Sequence, residues 1–224
     1  MDHGFHVKDG RLIDANGNDF VMRGINHPHT WFLSETGSFA DIAATGANTI
    51  RVVLSSGDYV QANGNQWTAN TAQNVGQVID LCIDNELVCV LEVHDTTGYN
   101  PIQGTSGNIP ASLDQAVDYW ISIKQELVGK EANVIINIGN EPYGNVCVRP
   151  YPGVCSDETG WLSDTQNAIT RMRKAGFNHT LMVDAPHWGS DKMDVMQDTA
   201  TSIFDADTEK NTIFSVHMLS LIHI

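Results

Sequence analysis

Residues 134–142 read VIINIGNEP: apolar Val134, Ile135, Ile136 and Ile138, closing on Asn140-Glu141-Pro142. An apolar run this short and continuous fits a strand buried on both faces. Its polar end then lies at the rim of the sheet. Five other segments share the form. They are FVMRGIN (Phe20–Asn26), NTIRVVL (Asn48–Leu54), VCVLEVHD (Val88–Asp95), TLMVDAP (Thr180–Pro186) and TIFSVHM (Thr212–Met218). Helical patterns lie between them, over Phe39–Thr45, Ala69–Asn85, Leu113–Val128 and Trp161–Ala175, with a further helix expected from Lys192 to Phe204. Gly46, Gly129 and Gly176 stand where a left-handed helix end favours a residue without Cβ.

Strand–helix alternation with near-continuous apolar strands implies an α/β fold with a parallel sheet covered by helices. An open doubly wound sheet and a (β/α)8 TIM barrel both fit. Two features favour the barrel. No glycine-rich phosphate loop follows the first strand. And strand after strand ends in polar residues: Asn26-His27, His94-Asp95, Asn140-Glu141 and His217, with Arg51 inside one. Barrel active sites are built from the C-terminal ends of several strands. A hairpin over Phe5–Lys8 and Arg11–Asp14 is expected to plug the barrel bottom. Six strands are visible where a closed barrel has eight. The expectation is therefore one incomplete domain over residues 1–224, with about six βα units and two missing after residue 218.

The chain has 224 residues, 12 Lys+Arg and 27 Asp+Glu, for a formal net charge of −15. That balance argues against a nucleic-acid partner and against an anionic membrane surface. No stretch approaches the roughly 20 apolar residues of a membrane span. Met1-Asp2-His3-Gly4 has neither the basic region nor the apolar core of a signal peptide. Cys82 with Cys89, and Cys147 with Cys155, are disulfide candidates by proximity. Free thiols in a reducing compartment are the alternative.

Glu141 is the candidate general acid, because withdrawal from water helps a carboxyl group keep its proton. Asn140 could hydrogen-bond a substrate hydroxyl. Arg51, a charge inside a strand, needs a carboxylate partner. His94 and His217 end strands at the same mouth. A rival reading takes His27 and His29 with His187 and His217 as a zinc set of a metal-dependent hydrolase.

Those segments, together with DANGNDFVMRGINHPHTWF, VLEVHDTTGY, LDQAVDYW, VIINIGNEPYGN and NHTLMVDAPHWG, resemble glycoside hydrolase family 5, in its bacterial endo-β-1,4-mannanase branch. The resemblance runs from Gly4 to Met218. It implies a secreted, monomeric glycosidase acting on mannan, glucomannan or galactomannan, without cofactor or metal. Glu141 matches the family's acid/base and Asn140 the neighbour of the sugar 2-hydroxyl. Arg51 matches the arginine supporting the nucleophile, and His94 and His217 the histidines of strands 3 and 6. Trp31, His29, Tyr143 and Trp188 are expected to face sugar, where aromatic rings stack on pyranose faces.

The match breaks at Leu219, where the family has a tyrosine. The last residues, 219–224, read LSLIHI and are expected to be a non-native tail of the kind left by a translated sequencing adapter. The family's strand-7 nucleophile has no counterpart, so little turnover is expected from the chain as written. Glu92 and Asp95 are the nearest spare carboxylates, and neither is marked as a substitute. A mannan-binding relic without catalysis is a further reading. An open barrel exposes two sheet edges, so association or poor solubility is expected.

Overall fold

A computed structural model describes residues 4–99, 107–144, 160–191 and 194–218. The chain opens with an antiparallel hairpin, β1 (His6–Lys8) and β2 (Arg11–Ile13). Six parallel strands follow: β3 (Gly24–His27), β4 (Thr49–Leu54), β5 (Val88–Val93), β6 (Val134–Asn137), β7 (Leu181–Asp184) and β8 (Thr212–Ser215). They pair in sequence order, β3-β4-β5-β6-β7-β8. This is the strand succession of a (β/α)8 barrel, with β3 and β8 outermost. All six expected strands are present. The strand read from VIINIGNEP ends early, at Asn137, and residues 138–144 form the rim above it.

The helices are α1 (Ser38–Ala44), α2 (Ala72–Asp84), α3 (Leu113–Ser122), α4 (Lys124–Leu127), α5 (Gly160–Lys174) and α6 (Val195–Ala206). Their starts follow the local chemistry. Thr71 caps α2 by accepting the Asn74 N–H, and Ser112 with Gln115 forms a capping box on α3. The helix expected over Leu113–Val128 is broken at Ile123, whose backbone leaves helical geometry between α3 and α4.

Alternation along the strands creates two cores. Outward-facing Ile50, Val52, Leu54, Cys89, Leu91, Val93, Ile136, Leu181 and Val183 pack under the helices with Val75, Val78, Trp120, Trp161 and Ile169. Inward-facing Val90, Ile135 and Met182 form a smaller cluster closed from below by Phe5. Phe5 is held there by backbone: its N–H donates to the Glu131 carbonyl, and its own carbonyl accepts from Thr180 and Asn211. The hairpin segment thus plugs the bottom, as its position before the first strand predicts. Two residues further along each strand, the inward positions are Glu92, Asn137 and Asp184. Period-two geometry stacks this polar layer directly on the apolar one.

Cys82 and Cys89 are both buried free thiols, one on the inner face of α2 and the other on the outer face of β5. The disulfide considered for them is not formed. Cys147, Cys155 and residues 219–224 lie outside the described residues.

Candidate active site

The polar layer is organised around Arg51 of β4. Its Nη1 donates to Glu92 Oε1 at 3.3 Å, and its Nη2 to Asn137 Oδ1 at 2.7 Å, Asn140 Oδ1 at 2.8 Å and Asp184 Oδ2 at 3.4 Å. The carboxylate partner that a strand-borne arginine requires is therefore double, Glu92 and Asp184, each with a fully buried side chain. His94, at the end of β5, contacts the same Glu92 oxygen through Nδ1 at 2.8 Å.

Glu141 sits on the rim after β6. Its backbone is left-handed, with φ +39°, a conformation a non-glycine residue keeps only when neighbours hold it. Asp184 does so: Glu141 N–H donates to Asp184 Oδ2 at 3.1 Å. Glu141 Oε1 lies 2.6 Å from His217 Nδ1, and His217 Nε2 lies 3.0 Å from Asp184 Oδ2. Burial pulls the His217 pKa down, but hydrogen bonds to Asp184 and Glu141 more than reverse this and carry it up to about 9. Burial likewise opposes ionisation of Asp184. His217 and the Arg51 guanidinium outweigh it and hold that carboxyl below its ordinary range.

Five expected site residues are thus brought together: Arg51, His94, Asn140, Glu141 and His217. Nothing in the sequence reading marks Asp184 or Asn137, yet Asp184 touches more of the site than any of the five except Arg51. The signal was present. An acid closing the apolar run TLMVDAP calls for partners by the argument already applied to Arg51. Trp161 of α5 fixes that strand end by donating its indole N–H to the Asp184 carbonyl.

The expected sugar-facing residues divide. Trp31 is 48% exposed and stands edge-on to Trp67 and His94, with centroids at 5.2 and 5.4 Å. Tyr59 stacks on Trp67 at 4.1 Å, so the wall beside His94 is more aromatic than expected. Trp188 is exposed at the rim and lies close against Gly98 and Gly144, where a Cβ would collide with its ring. The other two are buried. His29 is buried against Phe39, with Nε2 on Asn74, because its 3-10 turn directs it under α1. Tyr143 is buried between Tyr99 and Asp164, whose carboxylate accepts a hydrogen bond from its hydroxyl.

Of the zinc set, His217 pairs with Glu141 and Asp184, and His27 packs with His29 against Phe39. No group of three or more metal-ligating side chains occurs among the described residues. The spare carboxylates are also accounted for. Asp95 accepts from Ser55 Oγ and the backbone N–H groups of Ser56, Asp58 and Tyr59, which makes it the anchor of the loop after β4.

The family model of cellulase (glycosyl hydrolase family 5) matches this chain over residues 13–223. The chain belongs to glycosyl hydrolase family 5. It is 47% identical over 216 residues to a mannan endo-1,4-beta-mannosidase of Streptomyces lividans, covering 96% of this chain and 50% of that protein. A mannan endo-1,4-beta-mannosidase of Salipaludibacillus agaradhaerens is 43% identical, over 96% of this chain and 62% of its own length. Among solved structures, the mannohexaose complex of Thermomonospora fusca β-mannanase superposes with a TM-score of 0.85 at 48% identity, covering 98% of this chain and 67% of that one. The chain thus spans about half to two thirds of these glycosyl hydrolase family 5 relatives.

Proposed function

We propose that this chain carries the acid/base side of a retaining endo-β-1,4-mannanase active site, with mannan, glucomannan or galactomannan as substrate. The observation that carries the reading is Glu141, held by Asp184 through its backbone and by His217 through its carboxylate, in a chain whose relatives are named mannosidases. Glu141 protonates the leaving glycosidic oxygen. Asn140 and His94 line the cleavage position, and Trp31 with the Trp67 ring behind it offers an apolar platform to a pyranose face. A neutral polymer needs no charged partner, which is consistent with a net charge of −15. A polymer of this size is met outside the cell, so the enzyme is proposed to be secreted and to act as a monomer.

A retaining mechanism needs a second carboxylate about 5–5.5 Å from the first, free to attack the anomeric carbon. Glu92 and Asp184 are fully buried in ion pairs and Asp95 anchors a loop, so none of the three fits. The nucleophile is therefore proposed to lie outside this chain, and little hydrolysis is expected from the 224 residues alone. The test compares soluble mannan hydrolysis by this chain and by a version extended with the C-terminal part of a mannanase relative. Activity only in the extended version, lost by about 10²–10⁴-fold in its Glu141→Gln variant, supports the reading. Equal robust activity in both would show that the nucleophile is misplaced. Calorimetric binding of mannan oligosaccharides without hydrolysis by the extended version would favour a binding relic.

A further inference from the structure

The unassigned residue with the most consequential contacts is Asp184. Its carboxylate sits beneath the site, fully buried, and meets donors from four residues. Oδ1 accepts from Asn137 Nδ2 at 3.0 Å. Oδ2 accepts from Glu141 N–H at 3.1 Å and Arg51 Nη2 at 3.4 Å, and faces His217 Nε2 at 3.0 Å. An ionised carboxylate can only accept, so Nε2 must carry a proton. Nδ1 is then the nitrogen left to face Glu141 Oε1 at 2.6 Å, and that gap holds one proton, on either the nitrogen or the oxygen.

We propose that Asp184 is a positioning residue for the acid/base: it fixes the orientation and tautomer of His217, so that Glu141 and His217 share one proton. The inference rests on the reading of Glu141 as the acid/base. Its balance is simple. With the proton on His217 the three groups are carboxylate, imidazolium and carboxylate. When the proton crosses from Nδ1 to Oε1, the N–H bond breaks, the O–H bond forms, and the imidazole becomes neutral with its Nε2–H still on Asp184. The trio carries one net negative charge in both forms, so the crossing moves no net charge into or out of the site. Glu141 can then give the proton to the leaving oxygen.

The groups that set this equilibrium come from four elements. Asp184 on β7 and Glu141 after β6 hold the proton on the pair. Arg51 on β4 opposes it, and Glu92 on β5 partly neutralises Arg51. The ring is also held mechanically. His217 N–H donates to the Gly189 carbonyl at 2.7 Å, and the ring lies so close to Gly189 that a Cβ there would meet it at 2.6 Å.

The experiment is a pH titration of the 224-residue chain with ¹⁵N-labelled histidine, followed by NMR. His217 is identified by the signals lost in His217→Gln. In the unmutated chain, His217 is expected to titrate near pH 9 and its neutral form to carry the proton on Nε2. In Asp184→Asn the midpoint should fall by about one to three pH units, because the opposite charge is gone. An unchanged midpoint in Asp184→Asn, with the other histidine signals native, overturns the proposal. So does a neutral form protonated on Nδ1 in the unmutated chain, a measurement that does not depend on the variant folding. Neither readout needs turnover. Failure of Glu141 as acid/base would appear instead as hydrolysis surviving Glu141→Gln in the extended version.

Discussion

Asp207 and Arg173 offer a sharp test of what holds the helical layer to the sheet. Arg173, near the end of α5, donates Nε to Asp207 Oδ1 at 2.7 Å and Nη2 to Asp207 Oδ2 at 2.9 Å. Its remaining donors reach the carbonyls of Phe177, His179 and Asn211. Asp207, just past α6, also accepts from Glu209 N–H, Asn211 N–H and Thr212 Oγ1. The two side chains are 4% and 0% exposed, so one joint ties two helix ends to the starts of β7 and β8. Burial alone would raise the Asp207 pKa. The Arg173 fork outweighs it and lowers the value from 3.8 to about 2. That difference corresponds to about 2 kcal/mol of folding stability. The folded value lies below the unfolded one, so the contribution is complete above about pH 4 and fades as pH falls toward 2. Asp207→Asn removes it and leaves the Arg173 charge buried with only neutral oxygen partners. A loss of about 3–5 kcal/mol at neutral pH is expected. Urea unfolding of both proteins across pH 2–7 isolates the effect, because all other carboxylates cancel in the difference. The gap between the two should shrink by about 2 kcal/mol on the acid side. A gap that stays constant with pH would refute the reasoning.

Three further outcomes follow from the site. Trp31→Ala should weaken mannan-oligosaccharide binding by about two- to tenfold in calorimetry, the scale of one aromatic stacking contact, with the fold intact. Gly189→Ala places a Cβ against the His217 ring and should break its contact with Glu141, so the His217 pKa returns from about 9 toward 6.5, read by NMR. Asp95→Ala strands the donors of Ser55, Ser56, Asp58 and Tyr59; it should cost about 1–3 kcal/mol in denaturant unfolding and loosen Tyr59 from Trp67.

Which parts of this were legible in the sequence follows from what period and burial can carry. The strands were legible because an apolar run closed by polar residues has one economical placement in a parallel sheet. Helix ends were legible at Gly46, Gly129 and Gly176, which all take positive φ. The break at Ile123 was not, since nothing in its composition distinguishes it from a helix interior. The site was legible where a residue's type conflicts with its surroundings. Arg51 in an apolar strand is such a conflict, and Asp184 is the same conflict with the sign reversed. His29 and Tyr143 show the opposite limit. Both stand next to strand ends, and an aromatic ring there can satisfy its apolar face in the core as well as in the cleft. Proximity in sequence does not choose between the two. The choice is made by the partners at hand, Phe39 and Asn74 for His29 and Asp164 for Tyr143.

The same conflict of type and surroundings explains why the charged layer lies where it does. Val90, Ile135 and Met182 seal the barrel from below, so Glu92, Asn137 and Asp184, one pleat higher, are cut off from water on the lower side. Buried carboxylates in that position are tolerable only if cations are built in, and Arg51 with protonated His217 supplies them. Counting Glu141, three carboxylates then face two cations, a surplus of one negative charge at the mouth. A glycosidic bond breaking above this layer develops positive charge on the sugar ring, and a surplus of that sign stabilises it without reorganisation. Within the proposed reading, Asp184 therefore acts twice. It anchors the proton donor from below, and it contributes to the field in which the donor acts. Replacing it with an asparagine of the same shape would keep the packing and remove the field, so a loss of function in that variant with native histidine spectra elsewhere would be electrostatic in origin.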